Sequence, residues 1–169
     1  MHYPTHPARP VYLALVIFCT GLLSYGYYLQ FAQGLEPCPL CILQRLAFIG
    51  VLLFCLLGLL HGPGKTGVRL YSSLAAISAA LGIGIAARQV WLQHLPTDQV
   101  PDCGPGLEFM LQAFPLSEAI QMILKGSGEC AEVDWLFLSM SIAEWSLACF
   151  ILLLIVLLTH IVGYRGTPS

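Results

Sequence analysis

Cys38 and Cys41 enclose only Pro39 and Leu40, a spacing that permits direct disulfide closure. The pair stands where a long apolar helix is expected to begin, and Pro39 suits a first helical turn, where its missing N–H costs nothing. Unpaired N–H groups and the helix dipole at such an end stabilise a thiolate, the form of cysteine that attacks a disulfide or donates electrons. The same pattern also suits a static disulfide or half of a metal site. Arg45 follows Cys41 by one helical turn, so the two share a face. A cation there would favour the thiolate and could bind a carbonyl or an oxyanion; an arginine reaching back to the membrane interface is the plainer reading. Cys103 and Cys130 lie together in a later loop and suit a structural staple in an oxidising compartment. Asp102, Gly104-Pro105 and Gly126-Ser127-Gly128 around them suit instead a mobile disulfide that can exchange. His94, Trp91 and Trp135 are candidates to line a site at the same interface, the tryptophans also as interfacial anchors.

The elements that must position these residues are lipid-soluble. The 169-residue chain is 57% hydrophobic and 9% charged, against about 25% charged in soluble domains. Its net charge of −2, with no basic stripe, argues against a nucleic-acid partner. Four apolar stretches, at 11–29, 42–60, 70–87 and 145–162, are each long enough as helix to cross a hydrocarbon core of about 30 Å. Only a helix satisfies its own backbone in lipid over such a length. The chain is therefore predicted to be one all-α membrane domain over 1–169, a bundle of four transmembrane helices. Loops at 30–41 and 88–144 face one side of the bilayer, and the termini and 61–69 face the other. Arg9, Lys65, Arg69 and Arg165 mark that second side as cytoplasmic, while all nine acidic residues and the four loop cysteines share the opposite side.

Four local readings follow. The first span is too long for the apolar core of a signal peptide and no small-residue cleavage site follows it, so it is expected to be retained. Within the second loop, Leu116, Ile120, Ile123 and Leu124 recur at helical spacing and predict a short helix lying in the membrane interface. In the third span, Ala76, Ala80 and Gly84 predict the face on which neighbouring helices approach closely. Cys19, Cys55 and Cys149 fall inside the spans and read as small apolar side chains.

The run Pro37-Cys38-Pro39-Leu40-Cys41-Ile42-Leu43-Gln44-Arg45, with Cys103 and with Ser127-Gly128-Glu129-Cys130-Ala131-Glu132 before Trp135, resembles the DsbB family of bacterial inner-membrane thiol oxidases. The resemblance covers most of the chain. It implies a disulfide-generating oxidoreductase of the inner membrane, with its active cysteines on the periplasmic side. Such an enzyme reoxidises a DsbA-like thioredoxin-fold dithiol oxidase and passes the electrons to the membrane quinone pool, ubiquinone or menaquinone. The resemblance also implies redox disulfides Cys38–Cys41 and Cys103–Cys130. Cys103 matches the cysteine attacked by the reduced partner, and Cys130 passes electrons on to Cys38. Cys41 matches the quinone-proximal thiolate, and Arg45 and His94 match quinone-binding residues. No metal is expected. On the residues alone three other readings stay open: a reductive enzyme like the vitamin K epoxide reductases, a four-cysteine zinc site, and a membrane protein with static disulfides.

Overall fold

Every predicted span lies inside a longer helix. The computed structural model describes residues 8–62, 64–96, 98–100, 109, 112–133 and 135–163. Its four long helices are α1 (Arg9–Gln33), α2 (Pro39–His61), α3 (Lys65–Gln93) and α6 (Ile142–Gly163), each long and apolar enough to cross a membrane. Between α3 and α6 come α4 (Leu116–Lys125), α5 (Gly128–Ala131) and a small antiparallel hairpin, β1 (Leu136–Phe137) with β2 (Met140–Ser141). The hairpin has no counterpart in the sequence reading. The local chemistry explains the ends. Proline opens α1 and α2, while Gly34 and Gly62, at φ 70° and 52°, close them in the left-handed conformation that glycine adopts without strain.

The third helix is the centre of the bundle, packing on both α2 and α6, while α1 packs chiefly on α2. Its buried face runs Val68, Ser72, Ala75, Ala79, Gly82, Ala86 and Gln89. This differs from the predicted stripe, since Ala80 and Gly84 are exposed. The reason is geometric. Successive four-residue steps drift around a helix of 3.6 residues per turn, whereas alternating steps of four and three hold one face. Gly82 belongs to that face because a Cβ there would run into the ring of Phe150, which stacks on Phe48 with centroids 3.9 Å apart. At the end of the bundle far from the cysteine pair, the Tyr12 hydroxyl donates to the Val68 carbonyl (3.0 Å) and meets Ser72 Oγ at 2.9 Å. Ser72 Oγ in turn lies 3.1 Å from His160 Nδ1, so one buried polar group ties α1, α3 and α6 together.

At the cysteine end, α6 starts in a capping box. Glu144 N–H donates to Ser141 Oγ (3.3 Å) and Ser141 N–H donates to a Glu144 carboxylate oxygen (2.7 Å), satisfying two otherwise orphaned donors. The same Ser141 hydroxyl donates to Gln93 Oε1 at 2.7 Å, which fastens α6 to the end of α3. Ser141→Ala should therefore lower stability by about 1 kcal/mol, read as a lower unfolding temperature in detergent. No change in that temperature would mean that the box is not holding the helix.

The fourth helix coincides with its prediction. Leu116, Ile120 and Leu124 are exposed along it, a face suited to the interface, and Ile123 is buried. Arg88 on α3 anchors its end: Nε and Nη2 donate to the Leu124 and Lys125 carbonyls at 3.3 and 2.9 Å. A cation is thereby set at the negative end of the α4 dipole. Gly126 at φ 80° then turns the chain directly into Ser127 and α5.

Candidate active site

The start of α2 and the whole of α5 bring three sulfurs together. Cys38 is the N-cap of α2 and Cys41 lies one turn in, with the two sulfurs 3.2 Å apart. Cys130, carried by α5, is completely buried in an apolar cluster with Cys38, Leu40, Leu92 and Ile123. The sequence suggested a flexible turn before an exchangeable cysteine. Gly126 does turn the chain, but Ser127, Gly128 and Cys130 are tucked against the end of α2, because burying Ile123 and Leu92 draws α4 and α5 onto it. Cys38, Cys41 and Cys130 are all thiols. Cys103, Asp102 and Gly104-Pro105, and with them the expected Cys103–Cys130 pairing, lie outside the described residues.

The electrostatics of the cluster are set by who donates to whom. The Cys38 thiol, hydrogen-bonded to Cys130, holds the Cys130 sulfur well below an ordinary thiol, at about 6. Burial opposes this, and hydrogen bonds from the Leu40 backbone N–H and from Ser127 add to it. Cys38 is pushed up correspondingly, first by its bond to Cys130 and then by its bond to Cys41. The proton therefore stays on Cys38, and the charged form is favoured at Cys130. The helix N-terminus expected to serve the cysteine pair serves Cys130 as well, through Leu40 in the first turn of α2.

Around the pair is a cavity of about 130 Å³ whose lining includes Cys38, Cys41, Gln44, Arg45, Gln89 and Gln93, with Glu36, Glu129 and Glu132 also contributing. It shares Gly26, Leu29, Phe48, Trp135, Ile142 and Ser146 with an apolar groove of about 450 Å³ between α1 and α6. Tyr25, Phe137 and Trp145 line that groove too.

Arg45 lines the cavity with Cys41, as its spacing suggested, but its hydrogen bonds run to α1. Nη1 donates to Gln30 Oε1 at 2.5 Å, Nη2 donates to the Gly26 carbonyl at 3.1 Å, and the guanidinium lies 4.9 Å from the Tyr27 ring centroid. Trp135 lines both cavity and groove. His94 and Trp91 are not among the lining residues: His94 is exposed, its Nδ1 2.8 Å from the Val90 carbonyl, and Trp91 lies exposed under Arg88. Cys19 and Cys55 are buried in the bundle core, and Cys149 borders the groove.

Two site residues were missed. Gln89 Nε2 donates to Cys38 Sγ at 3.4 Å and to Cys41 Sγ at 3.3 Å, and Gln89 Oε1 accepts from Gln44 Nε2 at 2.6 Å. Both glutamines are 3% exposed. Their signal was available, since each lies in register with the buried face of its helix.

The family model described as Disulfide bond formation protein DsbB matches residues 8–160. Among curated relatives, the Disulfide bond formation protein B of Aromatoleum aromaticum is 48% identical over 158 residues, 94% of this chain and 95% of that protein. Those of Azoarcus sp. and Hahella chejuensis are each 50% identical, the first over 84% of this chain and 85% of its own length, the second over 85% and 87%.

Proposed function

Since this chain belongs to the DsbB family of disulfide bond formation proteins, and so is a multi-pass membrane thiol oxidoreductase, we propose that it oxidises a DsbA-like dithiol protein and delivers the electrons to a membrane quinone. The observation that carries the reading is the gathering of Cys38, Cys41 and Cys130 beside a cavity continuous with an apolar groove. In this reading the reduced partner's thiolate attacks Cys103 of a Cys103–Cys130 disulfide, and Cys130 leaves with the electron pair. The Cys130 thiolate then attacks Cys38 of a Cys38–Cys41 disulfide, and Cys41 leaves as thiolate. The partner's second thiol displaces Cys103, which attacks Cys130 and restores the loop disulfide. The partner is oxidised by two electrons and the Cys38–Cys41 pair is reduced by two.

A quinone, when bound, supplies a two-electron, two-proton acceptor. The residues present fit one: amide and guanidinium donors from Gln44, Gln89, Gln93 and Arg45 stand at the polar end, and the aromatic-lined groove between α1 and α6 suits a flat ring with an apolar tail. Lys65, Arg9 and Arg69 at the opposite end of the bundle support a periplasmic placement of the site in the inner membrane.

The test is to mix the purified protein with a reduced thioredoxin-fold dithiol protein and a soluble short-chain quinone. Many turnovers of quinone reduction are expected, and a reaction that stops after the protein's own disulfides are spent would overturn the reading. Arg45 gives a second check. Arg45→Ala should raise the apparent KM for quinone roughly tenfold, and Arg45→Lys should recover only part, because an ammonium cannot span Gln30 and the Gly26 carbonyl as the planar guanidinium does. Unchanged quinone kinetics in Arg45→Ala would leave Arg45 as a latch between α1 and α2.

A further inference from the structure

We infer that Gln89 is a catalytic residue of the disulfide exchange, a neutral donor that stabilises whichever sulfur of Cys38–Cys41 carries the leaving electron pair. The inference rests on the thiol-exchange reading above and deepens it. Three observations carry it. First, one amide nitrogen reaches both sulfurs, at 3.4 and 3.3 Å, so the donor need not move when charge passes from Cys38 to Cys41. Second, the amide is held in one orientation. Gln44 Nε2 must find an oxygen, and it finds Gln89 Oε1 at 2.6 Å, which turns the Gln89 NH₂ toward the sulfurs. Third, Gln89 Oε1 lies 3.6 Å from Cys41 Sγ, where it accepts from the neutral thiol, so both protonation states of Cys41 find a partner on the same side chain.

Arg45, the cation expected in this role, spends its described hydrogen bonds on α1. The group donating to the sulfurs is uncharged and buried, where a hydrogen bond to a developing anion is strong and needs no reorganisation when the S–S bond breaks. In the step concerned, an attacking thiolate forms a bond to one sulfur, the S–S bond breaks, and the other sulfur departs with the electron pair while Gln89 donates to it.

The experiment uses the oxidised protein and a small dithiol reductant such as dithiothreitol, with reduction of Cys38–Cys41 followed by mass spectrometry at a series of pH values. It needs neither a protein partner nor a quinone, so its outcome is separate from that of the turnover assay. Gln89→Leu should slow reduction roughly tenfold or more. Gln89→Glu discriminates the roles: its carboxylate still accepts from Gln44 and keeps the bridge between α2 and α3, but cannot donate to sulfur. It should be at least as slow as Gln89→Leu, and its deficit relative to the parent should shrink as falling pH protonates the carboxyl and restores a donor. Gln44→Leu, which touches neither sulfur in the described contacts, should slow reduction several-fold by releasing the amide, and keeps the test available should the Gln89 variants fold poorly. Gln89→Glu reacting at the parent's rate across the pH range would reduce Gln89 to a helix–helix bridge and overturn the inference, as would a Gln44→Leu rate equal to the parent's.

Discussion

A protein carrying Cys41→Ser should oxidise one equivalent of reduced partner and then stop, with steady quinone reduction lost by at least about a thousandfold. The chain of exchanges explains the pattern. Without Cys41 no disulfide can form at the start of α2, so a Cys130 thiolate has nothing on Cys38 to attack and the electron pair stays in the loop. The substitution is mild in every other respect. Cys41 is half-buried, the serine hydroxyl fills nearly the same volume, and Gln89 can donate to it as it does to the sulfur. Loss of turnover with a retained single-equivalent burst therefore reports chemistry rather than folding. Steady turnover in this variant would break the assigned path, because electrons would then be reaching the quinone without a Cys38–Cys41 disulfide.

The apolar spans, the short helix Leu116–Lys125 and the cysteine pair at a helix start were all legible because each rests on a local rule: length of an uncharged run, helical periodicity, proline at a first turn. What escaped depends on how helices face one another. Gln89 and Gln44 are unremarkable as letters, yet stepping back from Gln89 along the spacing Ala86, Gly82, Ala79, Ala75, Ser72 places it on the most buried face of α3. Gln44 continues the face of Phe48, Val51 and Cys55 on α2 in the same way. A search for polar residues in register with a buried stripe would have found both. The four-residue spacing of Ala76, Ala80 and Gly84 pointed to a different face and hid them. Ser141 and Glu144 carry a capping-box spacing that marks the start of α6 without a structure. The nearness of Cys130 to Cys38 is of another kind. It depends on Ile123, Leu92 and Arg88 docking α4 across α3, contacts between residues far apart in sequence that no local pattern encodes.

That nearness leads to the second large effect, on the titration of Cys130. In protein with Cys41→Ser, where Cys38 and Cys130 are the remaining thiols of the cluster, thiolate ultraviolet absorbance from Cys130 should rise in a step centred near pH 6. The sign follows from the hydrogen bond. Cys38 donates its S–H to the Cys130 thiolate and not to the protonated form, so the charged state is favoured and protonation waits until the pH falls through about 6. Adding Cys38→Ala removes the largest contribution while leaving burial in place, and the step should move up toward the ordinary thiol range of about 8.5. Cys38→Ser keeps an O–H donor at the same place and should hold the step near its original position. The midpoint is the informative quantity, because a more basic thiolate is also intrinsically more nucleophilic and the two effects partly cancel in a rate. A midpoint that stays put in Cys38→Ala would assign the stabilisation to the Leu40 N–H and Ser127 instead, and Cys38 would then act on Cys130 only as the sulfur it attacks.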